Sequence, residues 1–222
     1  MRKLEAVIFD FDGTIVDTEK VYYLTLKKLT KEWLGEDLDK MDYIRNVSGT
    51  NSETSKRYYE EKYNMKNYDE FEEVITQEIL DNYHEAEVLP NIEKTFKFLK
   101  ENGVKIAIAS NGDLEHIEHG LKEKGFTSFV DAIATKQDVE NPKPAPDVYL
   151  EAAKRLGVNI KNTIAVEDSK PGALGAALSG AYLILQTNDI TQYMDFTGVE
   201  YKQKDVDLYE TIKNLYIHGL DF

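Results

Sequence analysis

The sequence contains no cysteine, which excludes disulfide bonds, thiolate zinc sites and catalysis by a thiol. It also has no apolar run near the ~18–20 residues that a membrane helix requires, and its first residues lack the apolar region of a signal peptide. Its net charge of −14 argues against nucleic acid as a partner, because phosphates require a basic surface. We therefore expect a cytoplasmic protein that binds neither nucleic acid nor a membrane, and we take a monomer as the default state.

Short apolar strands alternate with helices over much of the chain of 222 residues. Runs typical of strands occupy residues 6–9, 105–109, 132–134, 163–166 and 182–185, and helical patterns occupy residues 92–101, 113–124, 146–156, 173–178 and 206–219. Strands that alternate with helices are typical of a parallel sheet, and near-continuous apolar strands fit a sheet covered on both faces. The sequence therefore predicts an α/β fold with a doubly wound parallel sheet.

The stretch of residues 18–89 interrupts this alternation, because it contains no clear strand. Its apolar residues recur at helical spacing, as Val21 and Leu24 do. We interpret this stretch as a helical domain inserted after the first strand. The expected organisation is an α/β core of residues 1–17 and 90–222, with the inserted helical domain between them.

Two aspartates, Asp10 and Asp12, end the first predicted strand just before Gly13. Residues at i and i+2 of a strand point to the same face, and open α/β sheets bind ligands at the carboxyl ends of their strands. Two close carboxylates suit a divalent metal, or a division of labour between a nucleophile and an acid/base. A calcium-binding EF-hand loop is excluded, because Ile15 and Val21 stand where that loop needs glycine and glutamate. An acidic turn without chemistry remains the simpler interpretation of these two residues alone.

Three further loops with polar residues follow predicted strands. The second loop carries Ser110 and Asn111, the third carries Lys143, and the fourth carries Glu167 and Asp168. Taken singly, these residues could be a helix cap, a solvated lysine and an acidic turn. Taken together at one edge of a sheet, a hydroxyl, free amides, an ammonium group and two pairs of carboxylates predict a site for phosphate and a divalent metal.

The sequence resembles the haloacid dehalogenase superfamily along essentially its whole length. The stretches FDFDGTIVDTE, IAIASN, KPAPD and VEDSKPG look like the four motifs of that superfamily, in the same order. The last two look most like the β-phosphoglucomutase and phosphoglycolate phosphatase branch. In that branch a helical cap is inserted after the first motif, and residues 18–89 match its position.

The resemblance implies a role for each polar residue of the four loops. Asp10 would be the nucleophile that takes the phosphoryl group, and Asp12 would protonate the leaving oxygen and then deprotonate the attacking water. Mg²⁺ would be the cofactor, and positive charge is needed because an anionic nucleophile attacks an anion. Phosphate would be held by Ser110, the amide of Asn111 and Lys143, and Mg²⁺ by Asp10, the backbone carbonyl of Asp12, Asp168 and, through water, Glu167.

The expected activity is a phosphatase that hydrolyses a small phosphorylated metabolite through a phospho-aspartate. The phosphomutases of this branch carry a histidine and an arginine in the cap, where this sequence has Tyr22 and Ser52. Because these two cap residues are absent, a sugar phosphomutase is less favoured than a phosphatase and is kept as the alternative. A binding protein on an inactive scaffold of this superfamily is a second alternative. Because the core motifs bind only phosphate and metal, we expect the cap to select the substrate, through Tyr22, Asn51 and Ser52.

A pair of histidines, His116 and His119, lies three residues apart on a predicted helix. This spacing can hold a metal ion. We interpret both as part of a solvated helix face, because no other residue with ligand character shares that face.

Overall fold

The computed structural model of the protein describes residues 1–50 and 52–221. Within these residues, six parallel strands form one sheet in the spatial order β3, β2, β1, β4, β5, β6. The strands are β1 Ala6–Phe9, β2 Lys105–Ser110, β3 Ala132–Thr135, β4 Thr163–Glu167, β5 Tyr182–Leu185 and β6 Gln203–Lys204. The α-helices are α1 Thr18–Leu34, α2 Lys40–Asn46, α3 Ser52–Tyr63, α4 Tyr68–Asn82, α5 Ile92–Glu101, α6 Leu114–Glu123, α7 Asp147–Leu156, α8 Lys170–Ser179 and α9 Leu208–His218.

The two faces of the sheet carry two hydrophobic cores. Val7 and Phe9 of β1 pack on one face with α5, α6 and α9, and Ala6 and Ile8 pack on the other face with α7 and α8. Successive side chains of a strand point to opposite faces, so an uninterrupted apolar strand fills both cores. The predicted doubly wound α/β class is confirmed. No helix in the described part of the chain is long and apolar enough to cross a membrane.

The five predicted strands are observed with their ends displaced by at most one residue. The sequence analysis missed β6, a strand of two residues that pairs in parallel with Ile184 and Leu185. Gln203 and Lys204 are polar, and two residues cannot show the alternation by which a strand is recognised. The edge strand β5 provides the hydrogen-bonding partner that orders them.

Helix α8 begins three residues before the predicted start because of its cap. The side chain of Ser169 accepts a hydrogen bond from the backbone N–H of Gly172 at 3.2 Å, and Pro171 lies in the first turn. Both features stabilise a helix N-terminus. Ser169 is therefore the N-cap of α8.

Residues 18–89, which we call the helical segment, contain α1 to α4 and have a hydrophobic core of their own. Leu26, Tyr59 and Phe71 are among its buried side chains, and Ile190 and Met194 reach it from the loop after β5. A helical segment with its own core can fold as a distinct unit. On this ground we propose that residues 18–89 form a separate domain.

The chain enters and leaves the helical segment through two paired extended stretches. Val16 and Val88 form an antiparallel bridge, the backbone N–H of Asp17 donates to Glu87 O at 2.8 Å, and that of Leu89 donates to Ile15 O at 2.9 Å. The two crossings therefore lie side by side, next to the loop that carries Asp10 and Asp12.

Candidate active site

The four polar loops meet at the carboxyl edge of the sheet. β1 is central, and Phe9 pairs with Ile108 of β2 and with Val166 of β4. The backbone N–H of Asp10 still donates to Val166 O at 2.9 Å, so the nucleophile candidate is fixed to the end of the sheet. Ser110 ends β2, where its buried hydroxyl accepts from the backbone N–H of Gly112 at 2.9 Å.

Lys143 lies between two buried carboxylates. Its Nζ is 2.5 Å from Asp10 Oδ1 and 2.5 Å from Glu167 Oε1, and its side chain is 4% exposed. The ring of Tyr149 lies 5.1 Å from Nζ, and the Tyr149 hydroxyl donates to Glu167 Oε1 at 2.6 Å. The loop lysine is thus held on the nucleophile candidate by carboxylates and an aromatic ring, and it is not solvated.

Asn111 fixes the backbone of the lysine loop through its side chain. Its Oδ1 accepts from the Lys143 N–H at 3.0 Å, and its Nδ2 donates to the Lys143 carbonyl at 3.2 Å. This bidentate contact joins the loop after β2 to the loop that follows β3. Binding of phosphate by the backbone amide of Asn111 stays a prediction.

Burial and neighbouring charges set the protonation of this group. Burial raises the pKa of Asp10 to about 8, against the attraction of Lys143 and with added repulsion from Glu167. Burial also acts to lower the pKa of Lys143, but Asp10 and Glu167 raise it above its ordinary value. The lysine therefore stays charged beside the nucleophile candidate.

Asp168 is buried, and both of its oxygens accept hydrogen bonds. Thr14 Oγ1 donates to Oδ1 at 3.1 Å, and Asn188 Nδ2 donates to Oδ2 at 2.9 Å and to the Gly13 carbonyl at 3.0 Å. Gly13 has a φ of +79°, and a Cβ there would overlap the Asp168 carboxylate. The glycine of the first motif therefore makes room for the aspartate of the fourth.

An all-oxygen donor set fits a hard divalent cation such as Mg²⁺. One oxygen each of Asp10, Glu167 and Asp168 lies within 4.8 Å of the others, and all three residues are buried. Burial, followed by repulsion from Glu167 and Asp10, raises the pKa of Asp168 well above its usual range, so a cation here would relieve a real electrostatic cost.

Glu167 already has partners on both oxygens. Lys143 and Tyr149 donate to Oε1, and the backbone N–H groups of Asp168 and Ser169 donate to Oε2. A Cβ at Gly172 would overlap this carboxylate, which explains why glycine stands there. A role of Glu167 in binding the metal through water stays a prediction.

Asp12 points toward α6. Its Oδ1 lies 3.0 Å from Nε2 of His116, in the first turn of that helix. The imidazole is 22% exposed and meets the rings of Phe11 and Tyr83 edge-on, with centroids 6.0 Å and 5.2 Å away. The interpretation of His116 as part of a solvated face is wrong, because helical spacing alone does not show what packs against a side chain. His119, which is 58% exposed, does lie on such a face.

Two features of the sequence pointed to His116. It follows Ser110 by six residues, and it lies in the first turn of a helix that begins at the carboxyl edge of the sheet. Burial acts to lower the pKa of His116, but the hydrogen bond and charge of Asp12 leave it raised.

The helical segment contributes a carboxylate that the sequence analysis missed, Glu19. It accepts hydrogen bonds from the Tyr43 hydroxyl at 3.0 Å and from Ser48 Oγ at 2.7 Å. Burial raises the pKa of Glu19, the two hydrogen bonds lower it, and the charge of Asp12 raises it further. Glu19 is part of the first motif, in FDFDGTIVDTE, but nothing in that motif predicts that the charges of Glu19 and Asp12 interact.

The three predicted substrate residues have different placements. Tyr22 on α1 is 40% exposed, and its pKa is raised by partial burial and then by the charges of Asp12 and Glu19, which indicates that it lies near the site. Ser52 is the first residue of α3 and is exposed. Asn51 lies outside the described residues. The selection of substrate by these residues stays a prediction.

The chain resembles known proteins over most of its length. Residues 7–186 match the family model described as haloacid dehalogenase-like hydrolase. The protein named "Putative phosphatase YhcW" of Bacillus subtilis is 30% identical over 200 residues, which cover 90% of each chain. The phosphorylated carbohydrates phosphatase of Thermotoga maritima is 26% identical, with 80% of this chain and 82% of that protein covered.

A solved structure supports the same assignment. The crystal structure of β-phosphoglucomutase from Clostridium difficile superposes with a TM-score of 0.69, at 25% identity, and covers 96% of this chain and 97% of that one. The residues matched by the family model include all four loops that meet at the carboxyl edge of the sheet. The chain therefore belongs to the haloacid dehalogenase-like hydrolases, in the branch that includes β-phosphoglucomutase and the related phosphatases.

Proposed function

We propose that this protein is a Mg²⁺-dependent phosphatase that hydrolyses a small phosphorylated metabolite through a phospho-aspartate on Asp10. The observation that carries the proposal is the contact of Asp10 with Lys143, with Asp12 two residues later and in contact with His116. The carboxylate of Asp10 can thus act as the nucleophile while that of Asp12 donates and accepts protons. The relatives named as phosphatases support this activity.

The first half of the reaction transfers the phosphoryl group to Asp10. A carboxylate oxygen of Asp10 forms a bond to phosphorus, and the bond from phosphorus to the ester oxygen breaks. Asp12 gives its proton to the departing alkoxide, so a neutral alcohol leaves. Lys143, held on Asp10 at 2.5 Å, offsets the negative charge on the phosphoryl oxygens. When bound, Mg²⁺ would add positive charge beside the same oxygens, held by Asp10, Asp168 and the Asp12 carbonyl.

The second half returns Asp10 to its starting state. Asp12, now a carboxylate, takes a proton from water, and the resulting hydroxide attacks phosphorus. The bond between phosphorus and the Asp10 oxygen breaks, and inorganic phosphate leaves. Asp12 ends protonated, ready for the next cycle.

The charges around the cleft favour a substrate with one phosphate. Glu19 of the helical segment and Asp12 of the core both lie close enough to Tyr22 for their charges to raise its pKa, so negative charge borders this part of the cleft. A second phosphate there would be repelled. Hydroxyl groups, in contrast, can donate to carboxylates. We therefore place phosphate monoesters of polyols or sugars ahead of bisphosphates as substrates.

The proposal is tested by measuring phosphate release from p-nitrophenyl phosphate with Mg²⁺ and with EDTA. Asp10→Asn should lower kcat by on the order of 10³-fold or more, because the nucleophile is lost. Asp37→Asn is the control, since Asp37 is exposed at the surface of the helical segment, and it should match the unchanged protein.

Three results would contradict the proposal. Full activity of Asp10→Asn would refute the nucleophile. Rapid interconversion of sugar phosphate isomers without free phosphate would establish the phosphomutase alternative. Binding of Mg²⁺ with no turnover across a broad panel of phosphate esters would establish the binding protein.

A further inference from the structure

We propose that His116 is a positioning residue for Asp12, and that it orients the carboxyl group so that Oδ2 is the oxygen that exchanges a proton with the leaving group. The inference rests on the proposed function, because it assigns Asp12 to proton transfer. The observation that carries it is the contact of His116 Nε2 with Asp12 Oδ1 at 3.0 Å.

The contact leaves Asp12 Oδ2 directed at the phosphate side of the site. A Cβ atom added to Gly112 would lie 3.2 Å from Ser110 Oγ, 3.4 Å from Asp12 Oδ2 and 3.7 Å from the Cδ2 atom of His116, so these three atoms border one small space. Ser110 is a predicted phosphate ligand, so Oδ2 opens on the same space as the phosphate site. The lack of a Cβ at Gly112 keeps that space free.

The imidazole is itself held in place. It meets Phe11 at an interplanar angle of 89° and Tyr83 at 88°. A Cβ at Gly120 would overlap the rings of Tyr83 and Phe11, so that glycine allows α6 to approach them closely. A histidine packed in this way can hold the carboxyl group at one orientation, which an exposed side chain could not do.

With Oδ1 accepting the Nε2–H hydrogen bond, a proton on Asp12 is placed on Oδ2. That proton can pass to the ester oxygen as the alkoxide departs, and Oδ2 can later receive a proton from water. Loss of the hydrogen bond would leave the carboxyl group free to rotate. Proton transfer would then fail in a fraction of encounters, while formation of the bond between Asp10 and phosphorus would not change.

The test compares two leaving groups. An alkoxide is a strong base that needs a proton to leave, whereas p-nitrophenolate departs as a stable anion. His116→Phe keeps an aromatic ring between Phe11 and Tyr83 but removes the donor. We expect it to lower kcat/KM, which reports only the transfer of the phosphoryl group to Asp10, by about 10- to 100-fold for an alkyl phosphate such as glycerol phosphate and by less than about threefold for p-nitrophenyl phosphate.

Two further variants separate positioning from structure. His116→Gln, whose amide can donate to the same oxygen, should restore most of the rate with the alkyl ester. His119→Gln changes an exposed histidine on the same helix and should match the unchanged protein with both esters.

The outcomes are distinct for the two proposals. An equal loss with both esters, or no loss with either, would overturn the role of His116. Asp12→Asn should show the same selective loss in a stronger form, and if it does so while His116→Phe does not, the proposed function stands and the positioning role fails. If the unchanged protein hydrolyses neither ester, the proposed function itself fails.

Discussion

At the scale of single residues, the site depends on buried charges that are paired. Lys143 touches Asp10 and Glu167, and Glu167 is fully buried. Moving charged groups out of water costs free energy, and the ion pairs offset that cost only while every partner is present. The same arrangement serves catalysis, since an ammonium group fixed on the nucleophile is ready to receive a phosphate.

Replacing Lys143 by methionine should therefore destabilise the protein as well as abolish turnover. The change leaves two buried carboxylates without their cation, and we expect the free energy of unfolding to fall by roughly 3–5 kcal/mol. Urea unfolding followed by circular dichroism measures it. Lys56→Met is the matched control, because Lys56 pairs with Asp69 at the surface and should be nearly neutral. An unfolding curve of the Lys143 variant that matches the control would contradict this account.

The residues of the site differ in how far the sequence revealed them. Asp10, Ser110 and Asp168 could be found because each follows an apolar strand, and the strand order fixes where its end lies. The sequence revealed less about His116 and Glu19, because each is on a helix, where it shows which face is apolar but not which neighbour that face meets. The pairing of Asn111 with the Lys143 backbone was equally hidden, since it joins two loops 32 residues apart.

At the scale of elements, close packing of helices on the carboxyl edge of the sheet sets the geometry of the site. The face of the sheet under α7 and α8 is lined by small side chains, among them Ala107, Ala109 and Ala165. Helix α8 can therefore lie close to β4, and Gly172 in its first turn comes against the carboxylate of Glu167. Apolar runs in the sequence predicted the strands and most helices. The distance between a helix and the sheet, however, depends on contacts between small residues such as these.

Gly172→Ala should disturb the site through Glu167. A new Cβ overlaps that carboxylate and must push it off Lys143 or shift α8, and such overpacking costs about 1–3 kcal/mol. We expect urea to unfold the variant earlier and phosphate release to fall, because Lys143 loses one of its two carboxylate partners. Leu178→Ala, on the same helix at a side chain that is 68% exposed, is the control and should leave both measurements nearly unchanged. Wild-type activity and stability of Gly172→Ala would show that the helix position is not critical.

At the scale of the whole molecule, the loop after β5 connects the acidic cluster to the helical segment. Asn188 donates to Asp168, and two residues later Ile190 is buried in the core of the helical segment, where Met194 also packs. In addition to burial, the charge of Asp12 raises the pKa of Glu19 in the helical segment, and the charge of Glu19 raises the pKa of Asp168. The position of the helical segment and the state of the acidic site are thus linked through two short stretches of chain.

The helical segment should move as a cap when phosphate and metal occupy the site. The two stretches of chain that join the core to the helical segment pair at Val16 and Val88. Because each stretch is short, we expect them to act as a hinge between the rigid sheet and the helical segment. Bound Mg²⁺ would offset the negative charge of Asp168, which Glu19 repels when no cation is present. Closure then excludes bulk water and strengthens the contact of Lys143 with the phosphate.

Small-angle scattering tests this motion with beryllofluoride, which mimics a phosphoryl group on an aspartate, added together with Mg²⁺. The radius of gyration should decrease toward the roughly 17 Å of a compact chain of this length. Asp10→Asn provides the control, because it lacks the carboxylate that the mimic attaches to and should show no compaction. Fluorine NMR reports whether beryllofluoride is bound. An unchanged radius of gyration with bound beryllofluoride would mean that the helical segment is fixed on the core and that substrates enter by another route, past the paired crossings instead of through an opening cleft.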